Sequence, residues 1–481
     1  MLISFTVQNY RPFAEEQTLS LEAVKDQSHP GHAVDCGAFR LLKTAAIYGP
    51  NASGKSSLLE ALGVMQRLVR ISATRMNLGD PIEGAVPFRL DKSRAREPSS
   101  FDVRLFLNGT EYQYGFSATR ERVCDEWLHV KRKGGRSTNP LMRHYDPASN
   151  KTGWQLRGEL KGAKDIAEKT RDNGLFLSRA AEMNLDFVAE LYLWFRDRVS
   201  LLSLATWPDA LMQQTARRAA GDSGFRSRVV RLIRDADFAI DGLSAAPEAA
   251  IPPSQELLGL IDYTRANGPA SRQESPEPTN PYTLGYWVAP QAPREPTNAY
   301  TWAYGATLPW QATVRAADEE AARRFAVHAL HRIPDSEDTV RFSLEADESN
   351  GTQRFFALIG PVLEALDEGH LLVVDELDCS MHPQLTYKLV EMFHSLEANP
   401  KGAQLVFATH DTSLMTPALF RRDQIWLTEK TRKGAAVLFS LCEIEPEKRP
   451  RKDEPFEKHY LAGRYGGVPN FGPALEDFEK L

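Results

Sequence analysis

The chain has 481 residues, of which 42% are hydrophobic and 25% charged, with a net charge of −6; these are the proportions of a globular protein with two or three domains, or one large domain carrying an insertion. No apolar run approaches the ~20 residues of a membrane span, and the acidic balance excludes a protein that coats nucleic acid through its overall charge, leaving only local basic patches. The four cysteines, Cys36, Cys124, Cys379 and Cys442, lie far apart without metal-ligand spacing, so reduced thiols and a cytoplasmic location are expected.

The N-terminus reads as a strand and lacks the pattern of a signal peptide. Over residues 1–23 apolar and polar positions alternate in two strands, joined by the turn Asn9-Tyr10-Arg11-Pro12-Phe13. Ala45–Tyr48 is a short buried strand running into Gly49-Pro-Asn-Ala-Ser-Gly54-Lys55-Ser56, and a helix follows from Ser57. Residues 101–117 alternate about Asn108-Gly109, the strongest short-range hairpin signal. The apolar run from Ala181 to Leu204 reads as helix. Residues 246–311 are rich in proline with aromatics between, which predicts an irregular insertion, partly packed or facing a partner, with a mobile portion near 266–280.

From Phe342 regular alternation returns. A strand leads to Ser349-Asn-Gly-Thr, then come a helix over 353–366, the strand Leu371–Val374, a helix over 384–396, and strands at 404–408 and 423–428. Alternating strands and helices around a phosphate loop imply an α/β core with a largely parallel sheet. The predicted organisation is a first lobe over 1–130 with the loop and an antiparallel sheet, an inserted helical and irregular region over 131–340, and a second lobe over 341–481.

Gly49-x4-Gly54-Lys55-Ser56 is a full phosphate-loop pattern in its proper strand–loop–helix setting. Its glycines let backbone N–H groups curl around a β-phosphate, Lys55 neutralises charge between the β- and γ-phosphates, and Ser56 offers a hydroxyl to Mg²⁺. Asn51, Ser53, Gly54 and Ser57 complete the candidate contacts on this side. At the end of Leu371-Leu-Val-Val, Asp375 is placed to hold the Mg²⁺ shell and Glu376 to act as general base for the attacking water. His410 ends the next buried strand and is expected beside the acid pair, within reach of the γ-phosphate. Ser349, the Gly351 backbone and Gln353 open a further helix and present donors at its N-terminus. No role is evident for them within their own chain, which predicts a partner.

Taken together these pieces resemble the ABC-type ATPase heads of the SMC and RecF class, and most of all the OLD-like branch of bacterial abortive-infection and phage-defence systems. The resemblance covers roughly 1–130 and 340–470. It implies ATP as nucleotide and a homodimer or higher homo-oligomer, in which residues 349–353 of one protomer close over ATP held by the other's phosphate loop. Asp375-Glu376-Leu-Asp-Cys-Ser-Met-His382-Pro383 looks like the family's acid pair and D-loop, and His410 like its switch histidine. Val7-Gln-Asn9-Tyr-Arg11-Pro-Phe13 is similar to an N-terminal motif whose arginine contacts phosphate, a role Arg11 would inherit. Tyr460-Leu-Ala-Gly-Arg-Tyr-Gly-Gly-Val-Pro469 looks like the ATPase subunits of two-gene abortive-infection systems. Gln113 is a weak candidate for the family's Q-loop glutamine, and the SMC coiled coil is absent.

OLD nucleases carry a metal-dependent TOPRIM domain after the ATPase. Only 71 residues follow His410, and Asp423, Glu443, Glu445 and Glu447 read as solvated acids, so a nuclease or toxin effector is expected as a separate protein. Two basic stretches could touch nucleic acid: Lys131-Arg132-Lys133 with Arg136 and Arg143, and Arg217-Arg218 with Arg226, Arg228, Arg231 and Arg234. The predicted function is an ATP-driven sensor or regulator of an anti-phage system. The alternatives are a RecF-like DNA repair ATPase and an ATP-locked scaffold that stores an effector.

Overall fold

A parallel and an antiparallel sheet share the core. The computed structural model describes residues 1–26, 28–203, 208–236, 240–247, 324–445, 450–451 and 454–469. The expectation for the proline-rich stretch falls, from residue 248 onward, outside them. In chain order the strands are β1 (Leu2–Gln8), β2 (Gln17–Ser20), β3 (Ala33–Asp35), β4 (Arg40–Leu42), β5 (Thr44–Tyr48), β6 (Ser99–Leu107), β7 (Thr110–Ala118), β8 (Val123–Arg132), β9 (Thr138–Asp146), β10 (Lys151–Leu156), β11 (Val199–Ser203), β12 (Gly242–Pro247), β13 (Phe325–Arg332), β14 (Thr339–Ser343), β15 (Leu371–Asp375), β16 (Gln404–Ala408), β17 (Ile425–Lys430) and β18 (Ala436–Ser440). The helices are α1 (Lys55–Ile71), α2 (Lys164–Glu168), α3 (Phe176–Glu182), α4 (Asp186–Asp197), α5 (Pro208–Gly221), α6 (Ser223–Asp235), α7 (Asn350–Glu368), α8 (Pro383–His394) and α9 (Phe456–Leu461).

The central sheet has the order β11-β15-β16-β5-β17-β18, parallel except for β18. Successive side chains point to opposite faces, and here both faces are apolar. Ala45, Ile47, Val373, Val406 and Ala408 face α1 and the antiparallel lobe, while Ala46, Tyr48, Leu372, Val374, Leu405 and Phe407 face the layer holding α5, α7 and α8. A sheet covered on both sides reads as continuous hydrophobic runs, which is why its strands were legible. Register pairs Val374 with Phe407 and Ala408 with Ile47. The loops after β5, β15 and β16 therefore leave the same edge, the usual ligand edge of a parallel sheet.

The antiparallel sheet has the order β10-β9-β8-β7-β6-β1-β2. Its hairpin turns at Asn108 (φ 44°) and Gly109 (φ 80°), the left-handed pair that an Asn-Gly turn supplies. The boundary expected near residue 130 falls inside β8, and β9 and β10 continue the sheet to Leu156. Their pattern is weak in the sequence because β8 to β10 bury one face only and carry charges on the other. The run 181–204 also differs from expectation. Helix α4 ends at Asp197, and Val199–Ser203 is a strand paired in parallel with β15. Periodicity does not separate a five-residue apolar strand from helix; the open edge of β15 decides it.

Several charged residues are internal, among them Arg143 and Asp423, both expected at the surface. Glu126 is fully buried, accepts from the backbone N–H of Phe176 and Leu177 and from the Tyr114 hydroxyl, and so caps α3. Arg143, one of the proposed nucleic-acid contacts, lies 3.8 Å from that carboxylate, buried, and donates to the Gly174 carbonyl. Asp423 is buried against Arg421 at 2.5 Å, not solvated. On the second stretch Arg218 and Arg228 pair with Asp367, and Arg234 with Asp241.

Where β5 begins, three imidazoles stack: His29 on His32 at 4.5 Å, and His32 on His394, the last residue of α8, at 3.6 Å. Gln424 and Thr44 complete the network, with Lys43 and Arg421 close by. Burial pushes His32 down to about 4 and His394 well below the ordinary imidazole value, with the neighbouring cationic groups adding to it. The unfolded chain therefore binds protons that the folded chain refuses, so stability rises with pH between about 4 and 6.5. Unfolding free energies from urea titrations at pH 5 and 7.5 are expected to differ by roughly 2 kcal/mol from His32 alone, and His32→Asn should flatten that dependence.

Candidate functional site

Three loops meet at the carboxyl edge of the central sheet. After β5 the chain bends through Gly49 (φ 148°), Ala52 (φ 59°) and Gly54 (φ 119°) into α1. Gly49 has no alternative: a Cβ there would lie 2.4 Å from both the carbonyl oxygen and Oγ1 of Thr428. Gly49→Ala is accordingly expected to weaken nucleotide binding more than tenfold and to destabilise the fold by a few kcal/mol, measured by nucleotide titration and urea unfolding. Thr428 also takes the Ser53 hydroxyl at 2.5 Å, which turns that side chain into the protein. Asn51 stands exposed at the loop tip, and Ser56 and Ser57 are half-buried at the start of α1.

Lys55 is buried and donates to the carbonyl oxygens of Gly49 (2.8 Å) and Pro50 (3.1 Å), lying across the loop. Burial lowers its pKa to about 8, against the pull of Asp375, Asp378 and Glu376. Burial in turn raises Asp375, which the Ser56 hydroxyl and the Lys55 charge oppose. Its Oδ1 is buried with no hydrogen-bond partner. A buried carboxylate oxygen without a donor, beside a serine hydroxyl and a phosphate loop, is the hard-oxygen donor set that suits Mg²⁺. The residues present fit the ion.

Glu376 follows in the left-handed region (φ 57°), as does Ser380 (φ 57°). Non-glycine residues held there cost of order 1 kcal/mol or more and gather at functional sites. Asp378 accepts from the His410 backbone N–H at 3.3 Å through both oxygens, tying the loop after β16 to the loop after β15. Its role was not read from the sequence; an acid two residues past an Asp-Glu pair was the available signal. The expected adjacency of β15 and β16 is present. His410 is exposed at its outer edge, and partial desolvation of the ring, with the nearby Lys55 charge, lowers its pKa.

The C-terminal motif backs this loop. Tyr460 packs near Tyr48, the residue before Gly49, with ring centroids 6.3 Å apart, and its hydroxyl donates to the Gly467 carbonyl. Gly467 N–H donates to Glu429, and the Thr412 hydroxyl to Glu457.

The start of α7 has work in its own chain, contrary to expectation. Ser349 Oγ accepts from Thr352 N–H at 3.2 Å and caps the helix, and Gln353 donates to the Glu345 and Glu348 carbonyls. Gly351 lies against the segment after Glu376, since a Cβ would meet the Ser380 carbonyl at 3.0 Å, and Arg354 bonds Cys379. Among the described residues no hydrogen bond or ion pair joins 349–353 to the phosphate loop. Arg11 is ion-paired to Glu60 on α1. Gln113 is engaged on the antiparallel sheet, donating to Asp102.

A cavity of about 460 Å³ is lined by Arg11, Pro12, Val86, Phe88, Lys430 and Gly434, among others; Phe13 and Ala436, close in sequence to that lining, lie against Gly54 of the phosphate loop. A larger apolar groove of about 660 Å³ between α6, α7 and α8 shares none of the nucleotide candidates.

A family model described as "AAA domain, putative AbiEii toxin, Type IV TA system" matches residues 45–416. No curated protein matches the chain by sequence. Among solved structures the chain is similar to the Smc head bound to the C-winged helix domain of ScpA, at 11% identity and TM-score 0.41, over 93% of this chain and 99% of that one. It is also similar to the recombination mediator protein RecF of the RecFOR pathway. The RecF-ATPrS structure matches at 12% identity and TM-score 0.26, over 91% of this chain and 98% of that one. The RecF-ATP structure matches at 14% and 0.23, over 85% and 91%.

Proposed function

Because the chain belongs to the AAA-domain family whose model spans residues 45–416, we propose that it is an ATP-hydrolysing sensor or regulator subunit of a bacterial anti-phage system of the OLD-like kind, acting as a homodimer or higher homo-oligomer on a separate nuclease or toxin. What carries ATP hydrolysis is the convergence of Lys55, Ser56, Asp375, Asp378 and His410 at the ends of three adjacent parallel strands, with Asp375 Oδ1 buried and unpartnered. Lys55 exchanges the Gly49 and Pro50 carbonyls for phosphate oxygens. Mg²⁺, held by Ser56 and Asp375, would supply further charge neutralisation on the phosphates. Glu376 takes a proton from the water that attacks the γ-phosphorus as the bond to the β-phosphate oxygen breaks, and His410 donates to a γ-phosphate oxygen.

The partner's Ser349 and the partner's Gly351 supply donors from the far side and close the dimer over ATP. These contacts to the γ-phosphate are lost on its release, so closure is tied to the hydrolysis cycle and can hold or free an effector. The family's description, a putative AbiEii toxin of a type IV toxin–antitoxin system, agrees with a role in a two-component system and names the toxin rather than its regulator. Turnover and mass, followed together by phosphate release and light scattering, test the reading. Specific activity that rises with chain concentration and an ATP-dependent doubling of mass are expected. Concentration-independent turnover by a monomer would remove the composite site, and no turnover in any state would remove the ATPase.

A further inference from the structure

Two polar pairs sit one above the other on a single face of α1. Ser56, in the first turn, bonds Asp375; Glu60, four residues on and so on the same face, pairs with Arg11. Glu60 is almost wholly buried, at 2% exposure, while Arg11 keeps 26% and lines a cavity, and Phe13, two residues on from it, lies against Gly54 of the phosphate loop. One Glu60 oxygen, Oε1, is buried without a hydrogen-bond partner. A buried carboxylate left half-satisfied is a poor purely structural device, since it costs burial without completing its bonds.

The turn that carries Arg11 is held just as firmly. Asn9 (φ 48°) and Arg11 (φ 49°) both lie in the left-handed region. Asn9 Nδ2 donates to the Arg94 and Glu97 carbonyls, its Oδ1 accepts from Phe88 N–H, and Arg11 N–H donates to the Val86 carbonyl at 2.9 Å. Such strain persists only where the surroundings impose it. The backbone fixes where Arg11 starts; the buried Glu60 carboxylate fixes where its guanidinium ends. A guanidinium is a planar fork with five donors, so one edge can stay on a carboxylate while another meets phosphate oxygen.

We propose that Glu60 is a positioning residue that orients Arg11 for a phosphate of the nucleotide, so that Arg11 bridges the buried carboxylate and the bound anion. The inference rests on the reading that residues 49–56 bind ATP. Without Glu60, Arg11 must be ordered by the ligand itself, and affinity falls while the chemistry of Lys55, Glu376 and His410 is untouched.

The test is a double-mutant cycle on ATP affinity with Glu60→Gln, Arg11→Ala and the pair, with melting curves for each and Lys55→Ala as the control for phosphate-loop binding. Glu60→Gln and Arg11→Ala are each expected to weaken ATP about tenfold, the pair no more than Arg11→Ala alone. For Glu60→Gln, KM should rise with kcat held within about twofold, and Glu60→Asp, which keeps the charge, should recover part of the loss. Should Glu60→Gln fail to fold, Arg11→Lys compared in the wild-type and Glu60→Asp backgrounds reads the same coupling. Additive losses, or a lowered melting temperature with ATP affinity unchanged, would overturn the positioning role alone. Wild-type protein that binds ATP no better than Lys55→Ala would overturn the ATP reading, and this inference with it.

Discussion

Glu376→Gln is expected to cut ATP turnover by about 10³-fold while leaving ATP affinity within a few-fold of wild type. The substitution keeps the size and hydrogen-bonding reach of the side chain and removes only its capacity to take a proton. Glu376 sits one residue past Asp375, at a left-handed backbone position that directs the chain away from β15. Asp375 and Ser56 are untouched, so binding of the nucleotide and its metal is retained. On the proposed composite site, uncleaved ATP would keep the closing contacts in place, and the variant should accumulate as an ATP-dependent dimer. Single-turnover phosphate release and light scattering measure both effects. Retained turnover would move the base elsewhere in the site. Infection assays with the same variant separate two functions: full protection without turnover would favour an ATP-locked scaffold over an ATP-driven regulator.

The second large effect is expected at Ser349, where the choice of substitution matters. Because Ser349 Oγ caps α7 through Thr352 N–H, Ser349→Arg removes a cap worth about 1 kcal/mol as well as blocking a partner. Ser349→Asp is the cleaner change. Aspartate caps as well as serine and is favoured at a helix N-terminus, so the melting temperature should hold. Its negative charge would face the partner's γ-phosphate. ATP-dependent dimerisation and turnover are therefore expected to fall at least a hundredfold, with ATP binding by the isolated protomer unchanged. A Ser349→Asp protein that dimerises and hydrolyses ATP normally would show that this helix start serves only its own chain.

Legibility in the sequence varied with the distance between partners. The phosphate loop was complete in eight consecutive residues, because its function lies in the backbone of one turn and the helix it opens. The acid pair was legible because it ends a run buried on both faces of a parallel sheet, and the Asn108-Gly109 hairpin because only left-handed residues suit that turn. Where one face of a strand is charged, as in β8 to β10, the half-pattern was lost. Where five apolar residues followed a helix, as in β11, periodicity could not tell strand from helix.

From the sequence alone came the nucleotide loop, the Asp375-Glu376 pair, the strand-end histidine and the α/β class, since each is set by local backbone preference and by burial along a single element. The tertiary structure alone decided that Asp378 ties down the His410 backbone, that Glu60 holds Arg11, that Arg143 is internal and that Ser349 is a cap as well as a candidate partner contact. The difference is physical. A local motif carries its own geometry in adjacent bonds, whereas a pair separated by tens of residues is chosen by strand order and register. In this chain those bring the ends of β5, β15 and β16 to one edge.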